Sequence, residues 1–165
     1  MTSFCFEHVF RAPSKAAVFA AYFDPALQAE QDRATEIVER EVLALEDDGD
    51  VLRRTCRVVP RRKLPALVRP LTSGELHYIE KITWRRAADT IEIEIRPSLL
   101  KGRVQIVGTY TLAAAAPGEI LRRYAGDVSV DIAVLAGRIE RGIVAELAKT
   151  LPITTAGTQD WLDRT

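Results

Sequence analysis

The stretch YAGDVSVDIAVLAGRIERGIVAELAKTL, Tyr124 to Leu151, changes its hydrophobic period partway along. Tyr124, Val128, Val130 and Ile132 alternate with Asp127, Ser129 and Asp131, the two-residue period of a half-buried strand. From Leu135 the spacing becomes helical. Leu135, Ile139, Ile143 and Leu147 recur every four residues, with Arg138, Glu140, Arg141 and Lys149 mostly off that line. A strand that runs into a long amphipathic helix has few ways to bury both apolar faces. The helix must lie back across the sheet to which the strand belongs. The rest of the chain has to supply that sheet.

Taken in order, it does. Ser3 to Arg11 alternates, with Phe4, Phe6, His8 and Phe10 on one side and Cys5, Glu7 and Arg11 on the other. Ser14 is placed to cap a helix over Lys15 to Phe23, and Asp24-Pro25 to open a second short helix to about Arg33. Ile37 to Leu45 and Val51 to Val59 form a hairpin around Asp47-Asp48-Gly49-Asp50. Strands follow over Gly74 to Trp84, Asp89 to Arg96, Arg103 to Ala113 and Glu119 to Ile132, joined by short turns that imply an antiparallel meander. Pro60 to Thr72 breaks the pattern with three prolines, four basic residues and four large aliphatic ones. After the long helix, Pro152 is expected to stop or kink it, and Thr158 to cap a last short turn.

At 165 residues the chain makes one domain, 1–165, with a substantial core. Lys+Arg and Asp+Glu both number 23, which disfavours a nucleic-acid partner. No apolar run has the length of a membrane span, and MTSFCFEHVF lacks a basic-then-apolar signal pattern. Two cysteines are too few for a disulfide framework, so a reducing, cytoplasmic location is expected.

The order of one strand, two short helices, six strands and a long C-terminal helix resembles the helix-grip fold of the START and birch-pollen-allergen superfamily, the polyketide-cyclase type. More narrowly, the chain is similar to a bacterial START-like subgroup of unknown function. The matching pieces are Ala17-Val18-Phe19, Asp24-Pro25, Leu64-Pro65 to Gly74, Trp84, and Gly126 to Ile132 leading through Gly137-Arg138-Ile139-Glu140. The resemblance implies an α+β fold in which a curved antiparallel sheet of about seven strands grips the helix. It also implies an apolar cavity between them for a hydrophobic small molecule or lipid. The superfamily includes cyclases and hydrolases, so fold alone does not settle chemistry.

The candidate lining of such a cavity is Phe6, His8, Tyr78, Glu80, Trp84, Tyr110, Tyr124, Ile139, Gly142 and Ile143. Tyrosines on inward faces offer an apolar body with one hydroxyl, suited to orienting a mainly apolar ligand. Ordinary core packing is the competing reading for each. Glu80 shares the face of Tyr78, Ile82 and Trp84, and a carboxylate there must be paired or protonated. Arg40 and Arg54 lie on inward registers of the hairpin and are its possible partners; a bulge would instead turn Glu80 to solvent. Gly142 lies on the helix stripe beside Ile139 and Ile143, where a glycine needs a reason: either the helix backbone approaches the sheet closely or the missing side chain leaves space for a ligand, and the second is expected.

Cys5-x-x-His8 has metal-ligand spacing, but on a strand the two side chains face opposite ways, and no metal site is assigned. No Ser-His-Asp spacing, nucleophile elbow, phosphate loop or HExxH motif occurs, so no catalytic set or cofactor is assigned. Arg61, Arg62, Lys63 and Arg69 give the Pro60–Thr72 segment the means for weak peripheral contact with an anionic membrane. Three functions remain open on the residues: a binder, carrier or sensor of a hydrophobic molecule; a cyclase- or hydrolase-like enzyme using cavity Glu, His and Tyr; or an interaction domain with a filled core.

Overall fold

The computed structural model describes residues 1–61 and 75–165. Its strands are β1 (Thr2–Arg11), β2 (Ile37–Asp47), β3 (Val51–Pro60), β4 (Tyr78–Arg85), β5 (Thr90–Pro97), β6 (Val104–Ala114) and β7 (Glu119–Val130). Its helices are α1 (Lys15–Tyr22), α2 (Pro25–Ala34) and α3 (Ala136–Arg164). The strands form one antiparallel sheet in the order β1-β7-β6-β5-β4-β3-β2. β2 to β7 are a meander, and β1 closes onto β7. The link carrying α1 and α2 therefore crosses from one edge of the sheet to the other. With α3 packed against β1 and β7, this is the α+β helix-grip fold. Of the Pro60–Thr72 segment only Pro60 and Arg61 are among the described residues, and the expected membrane contact lies outside them. Among the described residues no helix is long and apolar enough to cross a membrane.

Local chemistry sets the two short helices as expected. The Ser14 hydroxyl accepts from the Ala17 amide, and an Asp24 carboxylate oxygen accepts from the Ala26 and Leu27 amides ahead of Pro25. Strand parity holds too. Phe4 and Phe10 of β1, Ile91 and Ile93 of β5, Tyr110 of β6, and Tyr124 and Val128 of β7 are all buried in one core. Burying an aliphatic or aromatic side chain of this size contributes about 1.5–3 kcal/mol. β4 begins at Tyr78, and Gly74, the expected start of that strand, lies outside the described residues.

The long helix departs from expectation at two places. It does not stop at Pro152 but continues to Arg164. Proline there removes the amide that would bond the Ala148 carbonyl, a cost of roughly 3 kcal/mol in an isolated helix. Contacts beyond the proline offset it. The Gln159 carboxamide bonds both the amide and the carbonyl of Arg11 in β1, at 3.0 and 3.1 Å. The Thr158 hydroxyl, rather than capping a new turn, donates to Thr154 O and accepts from the Gln31 side chain of α2. The second departure is Glu140, which is buried with only 2% of its surface exposed. Its carboxylate accepts from the Val130 amide at 2.9 Å and the Thr2 hydroxyl at 2.8 Å, and pairs with the Met1 amino group at 3.0 Å. Burial alone would raise its pKa, but those donors together hold it below the usual carboxylate range. Glu140 thereby ties the first turn of α3 to the ends of β1 and β7.

Candidate functional site

A cavity of about 720 Å³ lies between the sheet, α2 and α3. Its apolar wall comes from alternate positions of the strands, Ile82, Ile93, Ile95 and Ile106, facing Ile143, Leu147 and Leu151 of α3. These side chains meet because period two on the sheet and near-period four on the helix each gather them on one face. α2 adds a polar rim through Gln28, Gln31 and Asp32. The volume is within the roughly 300–1,000 Å³ of pockets that take small organic molecules.

A charged cluster forms one wall. Arg40 of β2 donates to both oxygens of Asp32, at 2.9 and 3.0 Å, and through Nη1 to Glu80 Oε1 at 2.9 Å. Arg54 Nη2 stands 4.0 Å from the same Glu80 oxygen. β2 and β4 flank β3, so inward side chains from all three converge, and α2 delivers Asp32 from above. Burial alone would lower the Arg40 pKa; the Asp32 hydrogen bonds and the Glu80 and Asp32 charges raise it instead, so the guanidinium stays charged.

Tyr22, Tyr110 and Tyr124 keep their protons. Burial pushes Tyr110 up to about 12, against a smaller opposing effect of Arg122. Tyr124 and Tyr22 are raised by burial first and then by the Glu80 carboxylate.

Of the candidate lining, Tyr78, Glu80, Tyr110, Tyr124 and Ile143 face the cavity, and Arg40 and Arg54 join Glu80 there. The other five do not line it. Phe6 and His8 sit on the inward face of β1, but β1 is the edge strand beyond β7. They line a separate cleft against Leu151, Pro152 and Thr155 of α3. Trp84 is stacked on Phe23 at 4.8 Å and tilted against Phe19 at 5.1 Å, packed under α1. Ile139 is buried in a satellite cluster with Leu99, Val104 and Val130. Gly142 is exposed, and a Cβ there would meet nothing within 4 Å. It lies five residues, about 140° around the helix, from Leu147, on the solvent side.

This changes what Gly142 should do. Gly142→Leu is expected to stabilise by about 0.5–1 kcal/mol through helix propensity. The melting temperature should rise about 2–3 °C with uptake of an apolar probe unchanged. Circular dichroism melts with a probe titration check this; lost uptake at normal stability would put Gly142 back in the cavity wall.

Among the cavity residues outside the candidate set are three with polar chemistry, Tyr22, Asp32 and Arg122, alongside the aliphatic wall. Arg122 shares the parity of Tyr124 and Val128, so alternation marks it as inward. Nothing local marks Asp32, which reaches the cavity only because α2 docks above the hairpin.

Among solved structures, TTHA0849 from Thermus thermophilus superposes with TM-score 0.65 at 15% identity, over 98% of this chain and 97% of that one. The Zhui aromatase/cyclase from Streptomyces sp. R1128 gives 0.66 at 10% identity, over 99% and 94%. A START superfamily protein from Mycobacterium smegmatis gives 0.62 at 12% identity, over 98% and 97%. At such identities the likeness is one of fold, the START-like architecture. No curated protein matches the chain. A family model matches residues 6–162, nearly end to end, and the chain belongs to that family, described as Protein of unknown function (DUF2505).

Proposed function

We propose that this protein binds a hydrophobic small molecule or lipid in the cavity beneath α3, as a carrier or sensor. The observation that carries the reading is the 720 Å³ interior space itself, walled by isoleucine and leucine and bordered by a few fixed polar groups. A filled core would favour the interaction-domain reading. The enzyme reading is weakened by the state of the acids. Asp32 and Glu80 both accept from Arg40, and burial holds the Tyr22, Tyr110 and Tyr124 hydroxyls protonated, so none of these five groups is a free base.

The test is a titration of the full chain with N-phenyl-1-naphthylamine, a neutral probe that brightens in apolar surroundings. Saturable uptake near one per chain is expected. Linear, non-saturating fluorescence would remove the defined pocket and the proposal with it.

A further inference from the structure

Arg122 is the least explained charge in the molecule. It sits in β7 with 4% of its surface exposed, and it reaches the cavity between Tyr110 and Thr155. Its Nη2 donates to the Thr155 hydroxyl at 3.1 Å, and the Tyr110 side chain lies beside the same guanidinium. The Phe10 and Tyr110 rings flank it at 5.6 and 5.8 Å. Every one of these partners is neutral. Its Nε is buried with no acceptor among the described residues. Of the carboxylates that line the cavity, Asp32 and Glu80 are engaged by Arg40, and neither these nor Glu36 and Glu146 form an ion pair with Arg122 among the described residues. Residues 62–74 contain no Asp or Glu to supply one.

A buried guanidinium without a counter-charge is costly, because low dielectric penalises the ion and nothing returns the lost hydration. Deprotonation offers no escape for arginine. Replacing it by an apolar residue would relieve that cost, so a ligand that supplies the missing charge is the economical account of its presence. The guanidinium borders the cavity although its Nε is buried, so a carboxylate in the cavity meets the charge of the group as a whole. Hydrogen bonds between a guanidinium and a carboxylate are stronger than those between neutral groups. The neighbouring cavity wall is aliphatic and aromatic, so the rest of the ligand has to be apolar.

We infer that Arg122 anchors the anionic head of the cavity's ligand, a carboxylate carried on an apolar body. This rests on the cavity being a binding site for apolar molecules, as proposed above. Both an alkyl and an aromatic acid have this chemistry.

The experiment displaces N-phenyl-1-naphthylamine from the full chain with two acid–alcohol pairs, below their micellar concentrations. One pair is dodecanoate and dodecanol; the other is 1-naphthoate and 1-naphthalenemethanol. In at least one pair the acid should displace the probe at a concentration about tenfold or more below its alcohol. Which pair shows the preference separates an alkyl from an aromatic body. Arg122→Met should bring the acid to within about twofold of the alcohol, and Arg122→Lys should retain part of the preference. Equal displacement by acid and alcohol in the wild type overturns the anchor and leaves the apolar cavity standing. A preference that survives Arg122→Met overturns it too, since another cation would then hold the head. Failure of the probe and of all four compounds to bind overturns both readings. The wild-type comparison is decisive even if Arg122→Met does not fold.

Discussion

Alanine at Gly126 is expected to be among the most destabilising single substitutions in this protein. Gly126 of β7 pairs with Gly108 of β6. A Cβ on Gly126 would stand 2.0 Å from the Val107 carbonyl oxygen and 2.5 Å from the Gly108 Cα. Both are backbone atoms of the neighbouring strand, and moving them means breaking the ladder that holds β6 to β7. Overpacking in a core costs about 1–3 kcal/mol when side chains can adjust, and here they cannot. A loss of about 3 kcal/mol or more is expected, which lowers the melting temperature by about 6–12 °C or more for a chain of this length. Gly108→Ala should cost less, because its Cβ meets the ring of Tyr124 at 2.6 Å and not backbone. A thermal melt of Gly126→Ala within about 2 °C of the wild type would contradict this close approach of the two strands.

Glu80→Ala is the second large effect. In the native protein one Glu80 oxygen faces both Arg40 at 2.9 Å and Arg54 at 4.0 Å, with all three side chains only 13–15% exposed. Removing it leaves Arg40 with Asp32 alone and Arg54 with no acid. Breaking a buried pair by deleting one partner costs about 3–5 kcal/mol. Since these groups border an open cavity that water reaches, about 2–4 kcal/mol is the expected loss. The physical cause is the uncompensated cation, not the lost contact. The double variant Glu80→Ala with Arg54→Met should therefore be more stable than Glu80→Ala alone, by about 1 kcal/mol. Urea titrations of the two single variants and the double variant give the coupling. Strict additivity would mean that Arg54 and Glu80 do not interact.

The two effects act on different features of the grip. Gly126 permits the strand approach on which the cavity floor is built, whereas Glu80 holds the charged wall formed by α2, β2, β3 and β4. A ligand meets both: an apolar floor from the sheet, and at the sides guanidinium groups whose charges are satisfied to different degrees.

Features that depend on near neighbours along the chain were legible in the residues. Alternation in β1, β5, β6 and β7 sorts inward from outward residues, because a strand reverses its side-chain direction at every step. The caps at Ser14 and Asp24 are read from two or three consecutive residues. On the same parity Tyr78, Glu80, Tyr110 and Tyr124 point into the fold, and all four reach the cavity. Arg122 was legible by that rule as well.

Which part of the interior each inward residue sees was settled by packing. Phe6, His8 and Tyr124 all face inward, yet β1 is an edge strand, so the first two meet α3 outside the cavity. Four-residue spacing in α3 locates a stripe but not its borders; the rotation of the helix on the sheet leaves Gly142 in solvent and buries Glu140. Whether Pro152 ends that helix depends on Gln159 meeting Arg11, residues 148 positions apart. The Asp32–Arg40–Glu80 cluster likewise joins one helix to two strands that are not neighbours in the sheet. Such contacts arise from packing the whole chain around one core, and no local period encodes them.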